Sequence, residues 1–191
     1  MTNGRWTVRL ALHEDAAELM TLVERSVRGL QVRDYSESQL DAAIGTVFGV
    51  DMALIVDGTY FVVESGGKLI GCGGWSRRAT LFGVHKEVRD ERRLSPGTEP
   101  ARIRAFFVDP NWARQGVATA ILDACEKAAA EEGFTHASLA ATLTGAPFYR
   151  RQGYYELRAF QTPLPNGEGM GLIAMEKILQ RDADLTAGRA P

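Results

Sequence analysis

Apolar and polar positions change period several times along this chain. Residues 7–12, "TVRLAL", alternate, which predicts a short half-buried strand. From His13 the apolar positions Ala16, Leu19, Leu22, Val23 and Val27 fall close to helical spacing, with Asp15 as the expected N-cap. "YSESQLDAAIGTVF" sets Ser36 three residues before Gln39, the pattern of a capping box that opens a second helix. Strand signals return in "TYFVVE" and "KLIGCGGW", which flank "SGG" and predict a β-hairpin. "RIRAFFVD" (102–109) reads as a strand stopped by Pro110, whose nitrogen cannot donate to a ladder. From Gly116 the pattern is helical. Val117, Ile121, Ala124 and Ala128 form one stripe, Asp123 and Lys127 make an i,i+4 pair, and Gly133 ends the helix. "THASLAAT" is a further strand, "GAPFYRRQG" one or two helical turns, and "YYELRAF" and "MGLIAMEKIL" the last strands.

The resulting order, β-α-α-β-β-β-α-β-α-β-β, predicts an α+β sheet with helices over its faces. No repeat or linker divides the chain, so residues 1–179 are expected to form one domain and 180–191 a fraying tail. Residues 76–100 are charged, end in Pro and Gly signals and read as a long loop, either a solvated excursion or a binding loop.

Composition narrows the class. The chain has 191 residues, 45% of them hydrophobic, enough for a sizeable core. A net charge of −2 argues against a general nucleic-acid binder. Cys72 and Cys125 lie in apolar stretches and read as buried thiols. With neither a secretory leader nor a membrane-length apolar run, a soluble cytoplasmic protein is expected.

The candidate chemistry lies in "FFVDPNWARQGVATAIL", residues 106–122. A strand that turns directly into a helix aims several backbone N–H groups out of the helix start, where the dipole adds partial positive charge. Gly116 leaves room for an anion to approach the backbone, Ala118 leaves room one turn later, Arg114 adds full charge, and Thr119 adds a hydroxyl. This is what pyrophosphate binding needs. It is neither a P-loop nor a dinucleotide fingerprint.

About thirty residues on comes "GAPFYRRQGYYEL". The two segments together resemble the Gcn5-related N-acetyltransferase (GNAT) family, over roughly residues 5–178. The resemblance implies a mixed, mostly antiparallel central sheet flanked by helices on both faces, acetyl-CoA as co-substrate and no metal. It implies that Phe106, Phe107 and Val108 pair by backbone with the pantetheine arm. Arg114, Gln115, Gly116, Val117, Ala118 and Thr119 then take the pyrophosphate, Thr144 helps bind the cofactor, and Tyr149 is the general acid at the thioester sulfur. In the family the first loop position is often Gln or Arg, and here it is Ala113. Many relatives carry a glutamate on the preceding strand, and here Arg102, Ile103, Arg104 and Ala105 occupy it, so no base is identified.

The implied reaction is attack by a neutral amine on the thioester, with a backbone N–H near Val108 as donor to the developing oxyanion. Glu64, His85 and Glu99 are candidate bases. Trp75 and Arg104 are candidate acceptor-binding residues, alongside Arg77, Arg78 and Arg102. A guanidinium facing the cleft implies an acceptor with an anionic group beside its amine. Three functions fit: an acetyltransferase for a small-molecule or peptide primary amine, a CoA-binding regulator with a degenerate site, and a protein lysine or N-terminal acetyltransferase. Homodimers formed through sheet edges occur in the family.

Overall fold

The computed structural model describes residues 4–83 and 90–179. His85 and the expected tail from residue 180 lie outside them. Seven strands form one sheet in the order β1-β2-β3-β4-β5-β7-β6. Every neighbouring pair is antiparallel except β4 and β5.

β1 (Thr7–Leu10) leads through a single 3-10 turn, His13–Asp15, into α1 (Ala16–Leu30). Asp15 stands at the N-cap of α1 as expected, but its side chain does not cap the helix. Its carboxylate reaches back to accept from the Leu12 N–H at 2.7 Å and pairs with Arg9 at 2.7 Å, which fixes the turn before the helix. α2 (Glu37–Ala43) opens on the expected capping box. The Gln39 N–H donates to Ser36 Oγ at 3.1 Å, and the Ser36 N–H donates to Gln39 Oε1 at 3.0 Å. A short helix, α3 (Met52–Val56), comes next and was not expected. Asp51 caps it by accepting from the Ala53 N–H.

β2 (Tyr60–Ser65) and β3 (Lys68–Ser76) form the expected hairpin. Gly66 and Gly67 both carry positive φ, 56° and 74°, as a two-residue turn matched to strand twist requires. β3 is buried from Leu69 onward and runs through the middle of the molecule. A Cβ on its Gly71 would come within 2.4 Å of Val117 Cγ1, so only glycine lets α4 lie this close to the strand.

The long loop is an irregular hairpin with a single turn at Ser95–Glu99, where the Thr98 and Glu99 N–H groups both donate to the Ser95 carbonyl. Ala79 and Thr80 donate to Arg92 and Asp90, Leu94 donates to Arg77, and Arg78 grips Asp57 at 2.6 Å. β4 (Ala101–Val108) is followed by a second 3-10 turn at Pro110–Trp112 and by α4 (Val117–Glu131). β5 (His136–Thr142), α5 (Ala146–Arg151), β6 (Tyr155–Pro163) and β7 (Gly169–Ile178) complete the described residues.

Two apolar clusters cover the two faces of the sheet. One packs α4, Phe134 and Tyr149 against Trp75 and Ile103. The other packs α1 and α2 against Tyr60, Val62 and Phe107. Among the described residues no helix is long and apolar enough to cross a membrane.

Candidate active site

The site begins with a defect in β4. Arg104 pairs with Gly74 and Phe107 with Cys72, so Ala105 and Phe106 together oppose the single residue Gly73. Ala105 takes φ 55°, the left-handed region, and the strand bulges there. The buried Tyr60 hydroxyl donates to the Ala105 carbonyl at 3.1 Å and holds the bulge in place. Ahead of the bulge β4 has already left its parallel neighbour. The two strands pair only at Ala101–Ala137 and Arg102–Ser138, and from there a wedge opens between them.

The wedge is a cleft of about 240 Å³. Phe106, Phe107 and Val108 line one wall, Ala140 to Thr142 the other, and Ala118 and Tyr149 close it. The Asp109 N–H donates to Ile70 on β3. Neighbouring N–H groups on a strand point to opposite sides, so that of Val108 points into the wedge. It donates to Ser26 Oγ on α1 at 3.1 Å. The expected oxyanion donor near Val108 is thus already engaged, and Ser26 becomes part of the cleft wall.

The turn after β4 has the geometry expected of an anion cradle. Arg114 sits at φ 62° and Gly116 at φ 86°, directly before the first residue of α4. Two left-handed residues this close curl the chain so that its N–H groups point to one side. Arg114, Gln115 and Gly116 are exposed, whereas the Val117 side chain is buried in the core and offers only its backbone. Thr119 Oγ1 accepts from Gln152 at 3.4 Å, which ties the end of α5 to the start of α4.

Tyr149 lies on α5 among three rings, with centroids 6.2 Å from Phe106, 5.0 Å from Phe148 and 5.6 Å from Tyr154. It is only 8% exposed, and burial raises its pKa above the ordinary tyrosine value. Thr144 lines the cleft with its hydroxyl donated to Asp34 at 2.6 Å. Thr142, not singled out from sequence, also lines it, and its Oγ1 accepts from the Gly145 N–H at the start of α5.

The expected acceptor residues divide. Trp75 is corrected: it is 2% exposed, packs edge-on against Phe134 inside the core and faces no cleft. A tryptophan ending a fully buried strand has its indole taken by the sheet face beneath α4. Arg77 pairs with Glu132 and stacks on Trp75, and Arg78 is held by Asp57. Arg102 donates to Ser138 on β5, and burial lowers its pKa. Arg104 alone of these lines the cleft. It meets Asp51 at 2.5 Å and donates to the Gly83 carbonyl at 2.9 Å. The guanidinium therefore already has a carboxylate, contrary to the expectation of a fork awaiting an anionic acceptor.

The two expected bases among the described residues, Glu64 and Glu99, lie elsewhere. Glu64 pairs with Arg9 on β1. Glu99 bonds Arg92 in the loop, which brings its pKa down to about 2. Asp51 is the one carboxylate among the described residues that lines the cleft. Its only trace in the sequence is an aspartate before a short apolar run.

Residues 56–156, just over half of the 191-residue chain, match the family described as "Acetyltransferase (GNAT) domain". No match is found among curated proteins. The structure is similar to a GCN5-related N-acetyltransferase from Rhodopseudomonas palustris, with a TM-score of 0.68 and 24% identity over 94% of this chain and 99% of that one. It is also similar to the PaiA N-acetyltransferase of Thermoplasma acidophilum in complex with coenzyme A, at 0.62 and 14% over 93% and 99%. A third likeness is to the ribosomal-protein-S18-alanine N-acetyltransferase of Escherichia coli, at 0.57 and 15% over 92% and 95%. At such identities the structural likeness is one of fold, and it agrees with the sequence match. A strand that splits from its neighbour ahead of a bulge and then turns into a glycine-led helix is accordingly the frame of a GNAT acetyltransferase domain, the family to which this chain belongs.

Proposed function

We propose that this protein transfers the acetyl group of acetyl-CoA to a primary amine by direct attack. The observation that carries the reading is the wedge itself. It is a length of β4 backbone unpaired on its β5 side, in a cleft that runs between the start of α4 at Ala118 and the buried Tyr149. Acetyl-CoA, the family's co-substrate, supplies an activated thioester.

The residues present suit such a group. On its β5 side the Phe106–Val108 stretch lines the cleft without a partner strand, so a pantetheine arm would supply the missing sheet pairing there. The N–H groups from Arg114 to Thr119 stand at the positive end of a 15-residue helix, and a Cβ on Gly116 would project into open space, where phosphate oxygens approach. Thr144 and Thr142 add hydroxyls on the opposite wall.

Burial keeps Tyr149 protonated through neutral and mildly alkaline pH. Among the described residues nothing hydrogen-bonds its hydroxyl, so the proton is available to the departing sulfur. Such help is typically worth about 10²–10⁴-fold. The acceptor must arrive as the free amine.

The acceptor end combines apolar side chains (Leu30, Phe48, Leu81, Phe82) with the Asp51–Arg104 pair. Those walls favour an amine carried on an apolar body. A polycation would have to shed water from several ammonium groups against one carboxylate that already faces Arg104. A thiol-release assay across arylalkylamines, amino acids, short peptides, polyamines and aminoglycosides tests both steps. Turnover with the apolar monoamines or hydrophobic N-termini supports the reading. Preference for the polycations overturns the acceptor class. Tight CoA binding with no turnover on any amine favours a regulator.

A further inference from the structure

β5 and β7 pair residue by residue up to Thr142 opposite Leu172. The next rung would join Leu143 to Gly171, and that rung is not made directly. A side chain from beyond the end of α1 stands in it. The Tyr35 hydroxyl accepts from the Leu143 N–H at 2.8 Å and donates to the Gly171 carbonyl at 2.6 Å. The two partners lie 108 and 136 residues away in sequence. Next to it Thr144 donates to Asp34, so two consecutive residues of the α1–α2 connection hold two consecutive residues of the β5–α5 turn. Tyr35 is 5% exposed and Asp34 exposed.

The location matters because this turn delivers the chain to α5. Leu143 and Thr144 lead directly to Gly145 and then to the helix that bears Tyr149. An ordinary rung would draw the Leu143 nitrogen to about 2.9 Å from the Gly171 oxygen. The inserted hydroxyl holds them apart by the length of two hydrogen bonds, and the chain leaves the sheet at that point. We propose that Tyr35 is a positioning residue for acetyl transfer: it replaces the last rung of the β5–β7 ladder and thereby sets where α5 begins and where the Tyr149 hydroxyl stands in the cleft. Burial pushes the Tyr35 pKa up to about 12, so the hydroxyl keeps its proton and both bonds persist across the working pH range.

Removing the hydroxyl frees Leu143 and Gly171 to close the ordinary rung, and a shift of about an ångström in a catalytic group is enough for a loss near 10²-fold. The proposal rests on the leaving-group role of Tyr149 and is tested together with it. Tyr35→Phe, Tyr149→Phe and the double variant are compared by thiol release, each checked for folding by thermal melting with and without acetyl-CoA.

Tyr35→Phe is expected to lower kcat about ten-fold or more, with KM for acetyl-CoA changed less than about two-fold. The double variant is expected to be no slower than Tyr149→Phe alone, because Tyr35 acts only through that hydroxyl. A Tyr35→Phe enzyme at full rate, or a double variant whose losses multiply, overturns the proposal while leaving Tyr149 in its role. A Tyr149→Phe enzyme at full rate overturns the role of Tyr149 itself and this inference with it. If Tyr35→Phe does not fold, Asp34→Ala carries the same test on the exposed neighbour of the same turn. A loss in kcat that disappears in the Tyr149→Phe background supports the proposal, and unchanged or multiplying rates overturn it.

Discussion

Replacing Gly116 by valine separates the phosphate cradle from the fold that carries it. Gly116 sits at φ 86°, and a Cβ built there meets nothing within 4 Å. The substitution therefore creates no clash inside the protein, and its cost to the free chain is conformational. Holding an L-residue in the left-handed region costs roughly 1–2 kcal/mol. In a domain of this size each kcal/mol moves Tm by about 2–4 °C, so the variant should melt about 2–8 °C below wild type. Against this stands the ligand effect. Acetyl-CoA at a hundred times its Kd stabilises the native state by about 2.7 kcal/mol. That corresponds to an upward shift of about 5–11 °C in the wild type. The valine methyl groups would occupy the open space above the N–H groups of the helix start, and the shift should disappear. Melting curves recorded with and without acetyl-CoA read both quantities. Gly116→Ala serves as the control, sharing the backbone penalty with a smaller obstruction and so keeping part of the shift. A ligand shift of wild-type size in Gly116→Val would refute the reasoning and move the pyrophosphate away from this turn.

Three further outcomes are expected. Arg104→Met should destabilise the fold by about 1 kcal/mol or more in urea unfolding, because it removes the guanidinium that meets buried Asp51 at 2.5 Å, and adding Asp51→Asn should recover part of the loss; an unchanged unfolding midpoint would mean the pair adds nothing to stability. The rate should climb with pH as the acceptor amine, with a pKa near ~10, loses its proton, and show no falling limb before about pH 9, since burial raises Tyr149 above its ordinary value; a falling limb present in wild type and absent in Tyr149→Phe would contradict this. Stability should fall in acid. Arg9 holds Asp15 below its ordinary 3.8, and Arg78 does the same for Asp57. A depressed carboxylate contributes stability that is complete above 3.8 and lost as pH drops through the lower folded value, so Asp15→Asn should flatten the loss below about pH 4 in an acid titration read by circular dichroism.

The elements whose side chains repeat with a clear period were legible in the sequence. The β2–β3 hairpin, the α2 capping box and the β4–turn–α4 junction all stand where their patterns placed them, because each depends on residues adjacent in the chain. The helix α3 was missed because five apolar residues hold too little periodicity, and its cap at Asp51 gives no signal without the helix. The bulge at Ala105 was invisible for a different reason. Alanine carries no preference for positive φ, and it is held there by Tyr60, forty-five residues earlier. Trp75 was misplaced because nothing local says which face of a wholly buried strand a side chain joins. Arg104 lines the cleft. Its partner Asp51, like the Tyr35 clasp on Leu143, comes from a distant part of the chain and becomes visible only once the sheet is assembled.

The placement of β7 bears on how the protein comes to be made. It is the last strand in chain order among the described residues, yet it lies inside the sheet, between β5 and β6. Until it inserts, β5 presents a raw edge of seven residues, "HASLAAT", and the Gly171 carbonyl that receives Tyr35 is absent. The cleft's far wall is therefore among the final parts to become rigid. A chain stalled or cut before residue 169 would hold the glycine-led start of α4 but not the paired β5 wall opposite it. Such a species would also carry the open strand most prone to pair with a neighbouring copy. Docking of the β6–β7 hairpin thus closes that edge as well as shaping the finished cleft.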